Sequence, residues 1–364
     1  MNPVLTRLGN KTTGAAIAAA ERGAPDVAVR AGMRAAIARR LAAEQKRSDR
    51  DRDAWLQQWS AGPIALVPDE ANRQHYEVPS SFFELILGPR LKYSSCLWGD
   101  PGSRWSPGLA EAEVAMLDVT IDRCLGQADI EDGMRFLDLG CGWGSVSSRL
   151  AERFPSASIL AVSNSASQGD FIRGRATAQG LTNVEHRVVD VNDLGGALQG
   201  EQFDRVVSVE MLEHVRNHRR LFDDVAELLV NGGAFYIHVF AHRDLFWPFE
   251  DDGEANWMAR YFFTGGVMPS RRMFGELLAD DSSALTVESD WWFNGSHYAR
   301  TLDAWLGRLD DNRDAVTEVL GSVYGSDTER WVQRWRMFLM ACSELFGYAG
   351  GSEWGVSHQL LRRR

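Results

Sequence analysis

The sequence predicts an α/β fold: a mostly parallel sheet of seven strands, preceded by a helical extension and interrupted by one long insertion. Three observations lead there. From residue 134 to 240, apolar runs of β type alternate with stretches of helical periodicity, the order of strands joined by crossover helices. The first of these runs, Phe136 to Leu139, ends on Gly140, Gly142 and Gly144 and passes directly into a helical stretch, Val146 to Phe154. Beyond the insertion, Leu285 to Phe293 and Trp354 to Leu361 add two further strand patterns to the five of the first window.

A chain of 364 residues can bury a sizeable core, as one large domain with additions or as two domains. Its net charge of −11 and pI near 5.3 oppose a nucleic-acid partner, because phosphate binding needs a basic surface. Cys96, Cys124, Cys141 and Cys342 show neither C-x-x-C spacing nor a pairing pattern, which predicts a reduced, cytoplasmic setting. No apolar run approaches the roughly 20 residues of a membrane span, so stable membrane insertion is not expected. The Ala-rich stretch Gly14 to Ala20 is short and followed by Glu21 and Arg22, unlike a signal sequence. Oligomeric state is open, a homodimer included. Thirteen tryptophans crowd the second half, where an aromatic substrate chamber could use them.

In chain order, residues 1 to about 24 are small and polar and are expected to be poorly ordered. Helices follow over Asp26 to Gln45 and Asp51 to Ser60; the Arg-rich face of the first reads as a solvated face on a helix packed against the catalytic domain. Gly62-Pro63 breaks the pattern. The segment from Gln74 to Trp98 carries too many special residues for a plain amphipathic helix: His75-Tyr76, Phe82-Phe83 and Tyr93-Ser94 followed by an aromatic. A helix from about Gly108 through Leu125 is expected to hold this segment against the core.

At the glycine turn, the missing side chains let the backbone come close to a ligand, and the next helix presents unpaired N–H groups. The spacing G-x-G-x-G differs from the dinucleotide fingerprint, and Asp138 sits inside the strand instead of about 20 residues later, which argues against a nicotinamide enzyme. Asp138 can instead reach the turn backbone or a cationic amino-acid group held there. Asp138-x-Gly140-x-Gly142-x-Gly144 is similar to the first motif of the S-adenosylmethionine-dependent methyltransferases. Together with the Gln74–Trp98 motifs, it resembles the superfamily of cyclopropane-fatty-acid synthases and coclaurine-type N-methyltransferases.

That resemblance implies a Rossmann-like, class I methyltransferase with S-adenosylmethionine as cofactor, and Tyr93 and Ser94 touching its methionine part. The second strand, Ile159 to Val162, ends without the usual ribose-binding acid; the superfamily uses polar residues and a Gln at this offset, which implies Asn164 and Gln168. After the third strand, Asp190 is placed to accept from the adenine amino group while Val191 packs on the ring.

The fourth strand, Phe203 to Val209, is followed by Glu210-Met-Leu-Glu213-His214. Ligands sit beyond the carboxyl ends of strands in open α/β sheets, so a reacting group belongs here. If a helical turn begins at Glu210, it and Glu213 face one side. An alkylamine is mostly protonated at neutral pH, and a positioned carboxylate or imidazole that takes its proton frees the lone pair for attack on a sulfonium methyl. The resemblance separates two branches here. Cyclopropane synthases typically carry Gly where Glu210 stands and hold bicarbonate with a Cys at the place of Ser95; Cys96 is one residue late, while His238, Glu213 and Tyr298 match the other bicarbonate positions. The N-methyltransferase branch matches at Glu210, Glu213 and His214 together.

The insertion after the fifth strand, with Phe249-Glu-Asp-Asp, Trp257 and Arg260 to Ser270, also resembles that branch, and Gly265-Gly266 supplies a hinge-like turn. His297 and Tyr298 are placed to face the pocket. Helices are expected at about 302–321 and 327–346, and Trp335 and Phe338 share a face of the latter and, by resemblance, line the substrate chamber with His238 and Tyr298. Five segments result: a helical N-terminal extension (1–70), a cofactor-covering helical cap (71–130), the cofactor-binding core (131–240), a substrate lid with the sixth strand (241–300), and C-terminal helices with the last strand (301–364). The expected activity is methyl transfer to an amine of a small aromatic or alkaloid-like molecule, with no metal; the alternative is methylation or cyclopropanation of a lipid acyl chain.

Overall fold

The structure is a computed structural model that describes residues 14–67, 78–99, 103–126, 133–250, 256–280 and 282–364. His75, Tyr76, Asp251 and Asp252 lie outside the described residues. Among the described residues nine strands form: β1 Arg135–Leu139, β2 Ser158–Ser163, β3 Val184–Val188, β4 Phe203–Val209, β5 Leu229–His242, β6 Trp247–Pro248, β7 Val267–Met268, β8 Leu285–Asn294 and β9 Trp354–Arg363. Seven of them make one sheet in the order β3-β2-β1-β4-β5-β9-β8, and β6 pairs with β7 separately. β1 pairs in parallel with both β2 and β4, so the strand order reverses between them. A crevice opens beyond the carboxyl ends of strands at such a reversal.

The sheet is buried on both faces because its strands alternate apolar side chains to either side. Phe136, Ile159, Val207 and Tyr236 enter one core with Leu117 and Ile121 of the helix Leu109–Leu125. Leu137, Leu160, Val206 and Phe235 enter the opposite core with Leu221, Phe222 and Val225 of the helix His218–Leu228. The strand that comes last in sequence does not close an edge. β9 inserts antiparallel between β5 and β8, with its first eight residues buried, and leaves β8 as the edge.

Other boundaries move for local reasons. A short helix covers 14–21, in the stretch expected to be poorly ordered. The helices expected over 302–321 and 327–346 are three, Ser296–Asp311, Arg313–Tyr324 and Thr328–Phe346, with a break at Asn312, whose side-chain amide donates to the Leu85 and Arg308 carbonyls. His297 and Tyr298 therefore sit in a helical first turn. The Arg-rich face of the N-terminal helix Asp26–Glu44 stays partly solvated, with Arg34 and Arg39 exposed, while ion pairs tie it to the C-terminal helices: Arg30 pairs with Glu344 and Asp303, and Arg34 with Glu344. Among the described residues, no helix is long and apolar enough to cross a membrane.

Candidate active site

The turn after β1 begins with Gly140 at φ 81°, where a Cβ would stand 2.5 Å from the Met211 side chain. Gly142, at φ 52°, has nothing within 4 Å of a would-be Cβ, so its bare backbone faces a cavity. Gly144 caps the helix Ser145–Arg153 with φ 74°. Asp138 lies fully enclosed below the turn; Ser147 donates to its Oδ2 from the backbone N–H at 3.1 Å and from the hydroxyl at 2.5 Å. Burial pushes the Asp138 carboxyl up to about 6, and the Ser147 bonds oppose that rise.

The cavity over this turn is lined by Asp138, Gly140, Gly142, Asn164, Gln168 and Val191, among others. Gln168 Nε2 is buried without a partner among the described residues. An open backbone approach at Gly142, an unfilled amide donor and a buried acid fit the polar, cationic amino-acid nucleoside that the motif implies. Tyr93 and Ser94 line the same cavity, and Ala65 and Val67 of the N-terminal extension cover it. Asp190 does not line it: its Oδ1 accepts from Asn192 N–H at 2.8 Å, capping the turn Val191–Asp193.

Glu210 follows β4 in the left-handed region, φ 50°. A side chain held there costs strain, and such positions cluster at functional sites. Three groups from separate elements surround its carboxylate. Oε1 accepts from Ser95 N–H at 3.0 Å and lies 3.3 Å from His238 Nε2, and Oε2 accepts from the Tyr298 hydroxyl at 2.5 Å. Burial raises Glu210 to about 7, opposed by the Lys92 ammonium, the Tyr298 hydroxyl and the Ser95 amide. Burial keeps His238 far below its ordinary value, hence neutral.

The left-handed residue breaks the helical turn expected from Glu210, and the 3₁₀ turn starts only at Leu212. Glu210 and Glu213 consequently do not share a side. Glu213 is fully enclosed and lines neither cavity; its Oε1 accepts from Phe240 N–H at 2.7 Å, and burial with the nearby Glu210 charge pushes it well above the carboxylate range. His214 faces the open space, stacked on Phe263 with centroids 4.7 Å apart.

A second, aromatic chamber adjoins the first. Its walls include Phe240, Phe263, Tyr298, Phe338, Phe346 and Trp354, and it shares Tyr93, Glu210 and His214 with the cofactor cavity. Trp335 does not line it: this side chain is wholly buried and packs on Phe82, 4.7 Å between centroids, because it sits on the side of its helix turned to the cap. His238 stands beneath Glu210 and likewise outside the chamber.

Sequence reasoning missed the far wall. Met33, Ile37 and Arg40 of the helix Asp26–Glu44 line the chamber, and their i, i+4, i+7 spacing marks one face. Enlarging that wall by Met33→Trp is expected to raise KM for a bulky amine about tenfold or more while leaving cofactor affinity unchanged, because an overpacked site loses roughly 1–3 kcal/mol. Steady-state kinetics with calorimetry checks it. Among the described residues no His, Cys, Asp and Glu group is arranged to hold a metal.

A cavity over a glycine turn at the reversal of strand order, joined to an acid-bearing aromatic chamber, defines a class I S-adenosylmethionine-dependent methyltransferase. The chain belongs to the mycolic acid cyclopropane synthetase family, whose profile matches residues 67–350. It is 32% identical over 306 residues to (S)-coclaurine N-methyltransferase of Thalictrum flavum subsp. glaucum, covering 83% of this chain and 81% of that one. It is 29% identical over 276 residues to cyclopropane-fatty-acyl-phospholipid synthase of Escherichia coli K12, covering 75% and 63%. In three dimensions it is similar to coclaurine N-methyltransferase bound to N-methylheliamine and SAH, with a TM-score of 0.84, 28% identity, and 94% and 97% of the two chains covered.

Proposed function

We propose that the protein transfers a methyl group from S-adenosylmethionine to the nitrogen of a small aromatic or alkaloid-like amine. The meeting of the two cavities at Tyr93, Glu210 and His214 carries this reading. The cofactor supplies an electrophilic methyl on a sulfonium sulfur. Gln168, Asn164 and Val191 line the nucleoside end, and Asp138 faces the amino-acid end. Asp190 acts by shaping the loop that presents Val191.

The amine enters through the aromatic chamber, whose ring faces stabilise a cation. Glu210 attracts its ammonium form and accepts its proton, and His214 orients the nitrogen from the other side. Glu213 supports both by holding the Phe240 backbone, and the Ser95 amide and the Tyr298 hydroxyl hold Glu210 at its two oxygens, with His238 beside the first. Phe338 provides a wall, with Trp335 packed behind it. The relatives named for coclaurine and pavine N-methylation support an aromatic amine.

Because Glu210 must be ionised to take a proton, activity is expected to rise with pH through about 7. A kcat/KM profile flat between pH 5.5 and 8 would remove it as the base. The lipid alternative is disfavoured by Glu210 itself, whose carboxylate fills the space between His238 and Tyr298 where the resemblance puts bicarbonate. A labelled-methyl assay against amines, thiols and phospholipid vesicles, with and without bicarbonate, tests both. Transfer to vesicles that requires bicarbonate, with none to any amine, would reverse the choice. Four free thiols among the described residues suit a reducing cytoplasm.

A further inference from the structure

Lys92 is one of three lysines in a chain with thirty-six arginines, and its side chain is fully buried. Burying an ammonium costs several kcal/mol, and an apolar residue of equal size is often as stable. What the cation contacts is therefore informative. Its Nζ donates to Ser94 Oγ at 2.5 Å and to the Ser95 carbonyl at 2.7 Å. Ser94 lines the cofactor cavity, and the N–H of Ser95 is the group that binds Glu210 Oε1. One buried cation thus grips both residues that connect the cofactor site to the reaction acid.

Its charge has few places to act. Burial pulls Lys92 below the usual lysine range, and Cys96 from its own segment, Glu210 from the end of β4 and Glu113 from the helix Leu109–Leu125 oppose that; its field reaches His238 on β5 and His358 on β9. Burial keeps both histidines neutral and pushes Cys96 up to about 12, so neither type supplies a counter-charge. Glu113 accepts from the backbone N–H groups of Arg90 and Lys92, which fixes the cap segment beneath the ammonium. Besides Lys92, the titratable groups that act on Glu210 include Tyr298, His238, Glu213, Cys96 and Cys342, and His214 borders the same two cavities. A lysine suits this role better than an arginine, since a compact ammonium can be enclosed by a tight turn of backbone and hydroxyl acceptors.

We propose that Lys92 is a positioning residue for methyl transfer: its enclosed ammonium, seated on Ser94 and Ser95, is the fixed counter-charge that keeps the Glu210 carboxylate ionised and aimed into the shared cavity. The inference rests on Glu210 as the proton acceptor. It explains how a largely buried carboxylate remains a base between turnovers. Without Lys92, burial acts on Glu210 with one opponent fewer, and the acid stays protonated to higher pH.

The test has two arms. In Lys92→Met, the acidic limb of kcat/KM moves up by a unit or more, so activity at pH 6.5 falls about tenfold or more and recovers at pH 9, one unit being a factor of ten. A limb that stays in place, with activity lowered equally at every pH, overturns the proposal and leaves Lys92 a packing residue. The second arm needs no lysine variant and no turnover. With only three lysines, the Lys92 side-chain resonance is assignable in protein labelled with ¹³C-lysine, and its titration is followed in wild type and in Glu210→Gln. Removing the facing charge is expected to lower the ammonium's midpoint by a unit or more; an unchanged midpoint overturns the proposal. Should no amine accept a methyl group while the midpoint still shifts, the reading of function fails and the pairing stands.

Discussion

Glu210→Gln is expected to lower kcat/KM for the best amine by about 10²–10⁴-fold, the range contributed by a positioned general base. The amide keeps the shape: its oxygen can still accept from Ser95 N–H while its nitrogen donates to the Tyr298 hydroxyl, so the fold and the cofactor affinity should remain. What it cannot do is carry a proton away from the amine. Calorimetry with S-adenosylhomocysteine alongside single-turnover methyl transfer separates the two effects. Equal losses in binding and turnover would assign Glu210 to cofactor binding. His214→Ala is expected to act mainly on kcat, because the ring stacked on Phe263 borders both cavities, where cofactor and amine meet.

Asp138→Ala should weaken the cofactor by roughly 10- to 150-fold, the equivalent of a charged hydrogen bond at about 1.5–3 kcal/mol. The carboxylate is buried, and Ser147 donates twice to its Oδ2, leaving Oδ1 to meet an incoming ammonium. Its pH dependence has a definite sign. Burial raises Asp138 to about 6, so below that value the carboxyl is neutral and attraction for the cation is lost; affinity for the cofactor should fall as pH drops through 6. A variant that binds as wild type, or a wild type whose affinity is level from pH 5 to 8, would place the amino-acid end elsewhere. Asp138→Asn, which retains an acceptor for Ser147, isolates the charge from the helix contact.

Much of the frame was legible because its physics is local. The strand from Phe203 to Val209 and the helix from Leu109 to Leu125 follow from alternation and periodicity, and the glycine turn follows from its spacing. The acid cluster was legible as a set of residues and misread as a shape, because no pattern in sequence announces a left-handed glutamate at position 210. That single dihedral sends Glu210 to Ser95 and Tyr298 and Glu213 to the Phe240 backbone. Trp335 was misplaced for a related reason: three residues along a helix turn through 300°, and neighbours on a broad face can look into different spaces. Lys92 went unseen because the acids it faces, Glu113 and Glu210, lie far away in sequence although its direct partners Ser94 and Ser95 are adjacent, and the Met33–Ile37–Arg40 wall because only the assembled extension brings it to the site.

The position of β9 has a consequence for how the protein is made. β5 meets β4 on one side early in synthesis, yet its other side pairs along nine residues with a strand more than a hundred positions later. Until that strand emerges from the ribosome, β5 offers an open edge of the kind that recruits other chains. Non-local pairing of this sort also folds slowly. Trp354, a wall of the aromatic chamber, arrives with it, so a nascent chain that already has its glycine turn and acids still lacks an enclosed place for the acceptor. Demand for chaperones during expression, and failure of chains cut before residue 354, follow from the middle of the sheet being laid down last.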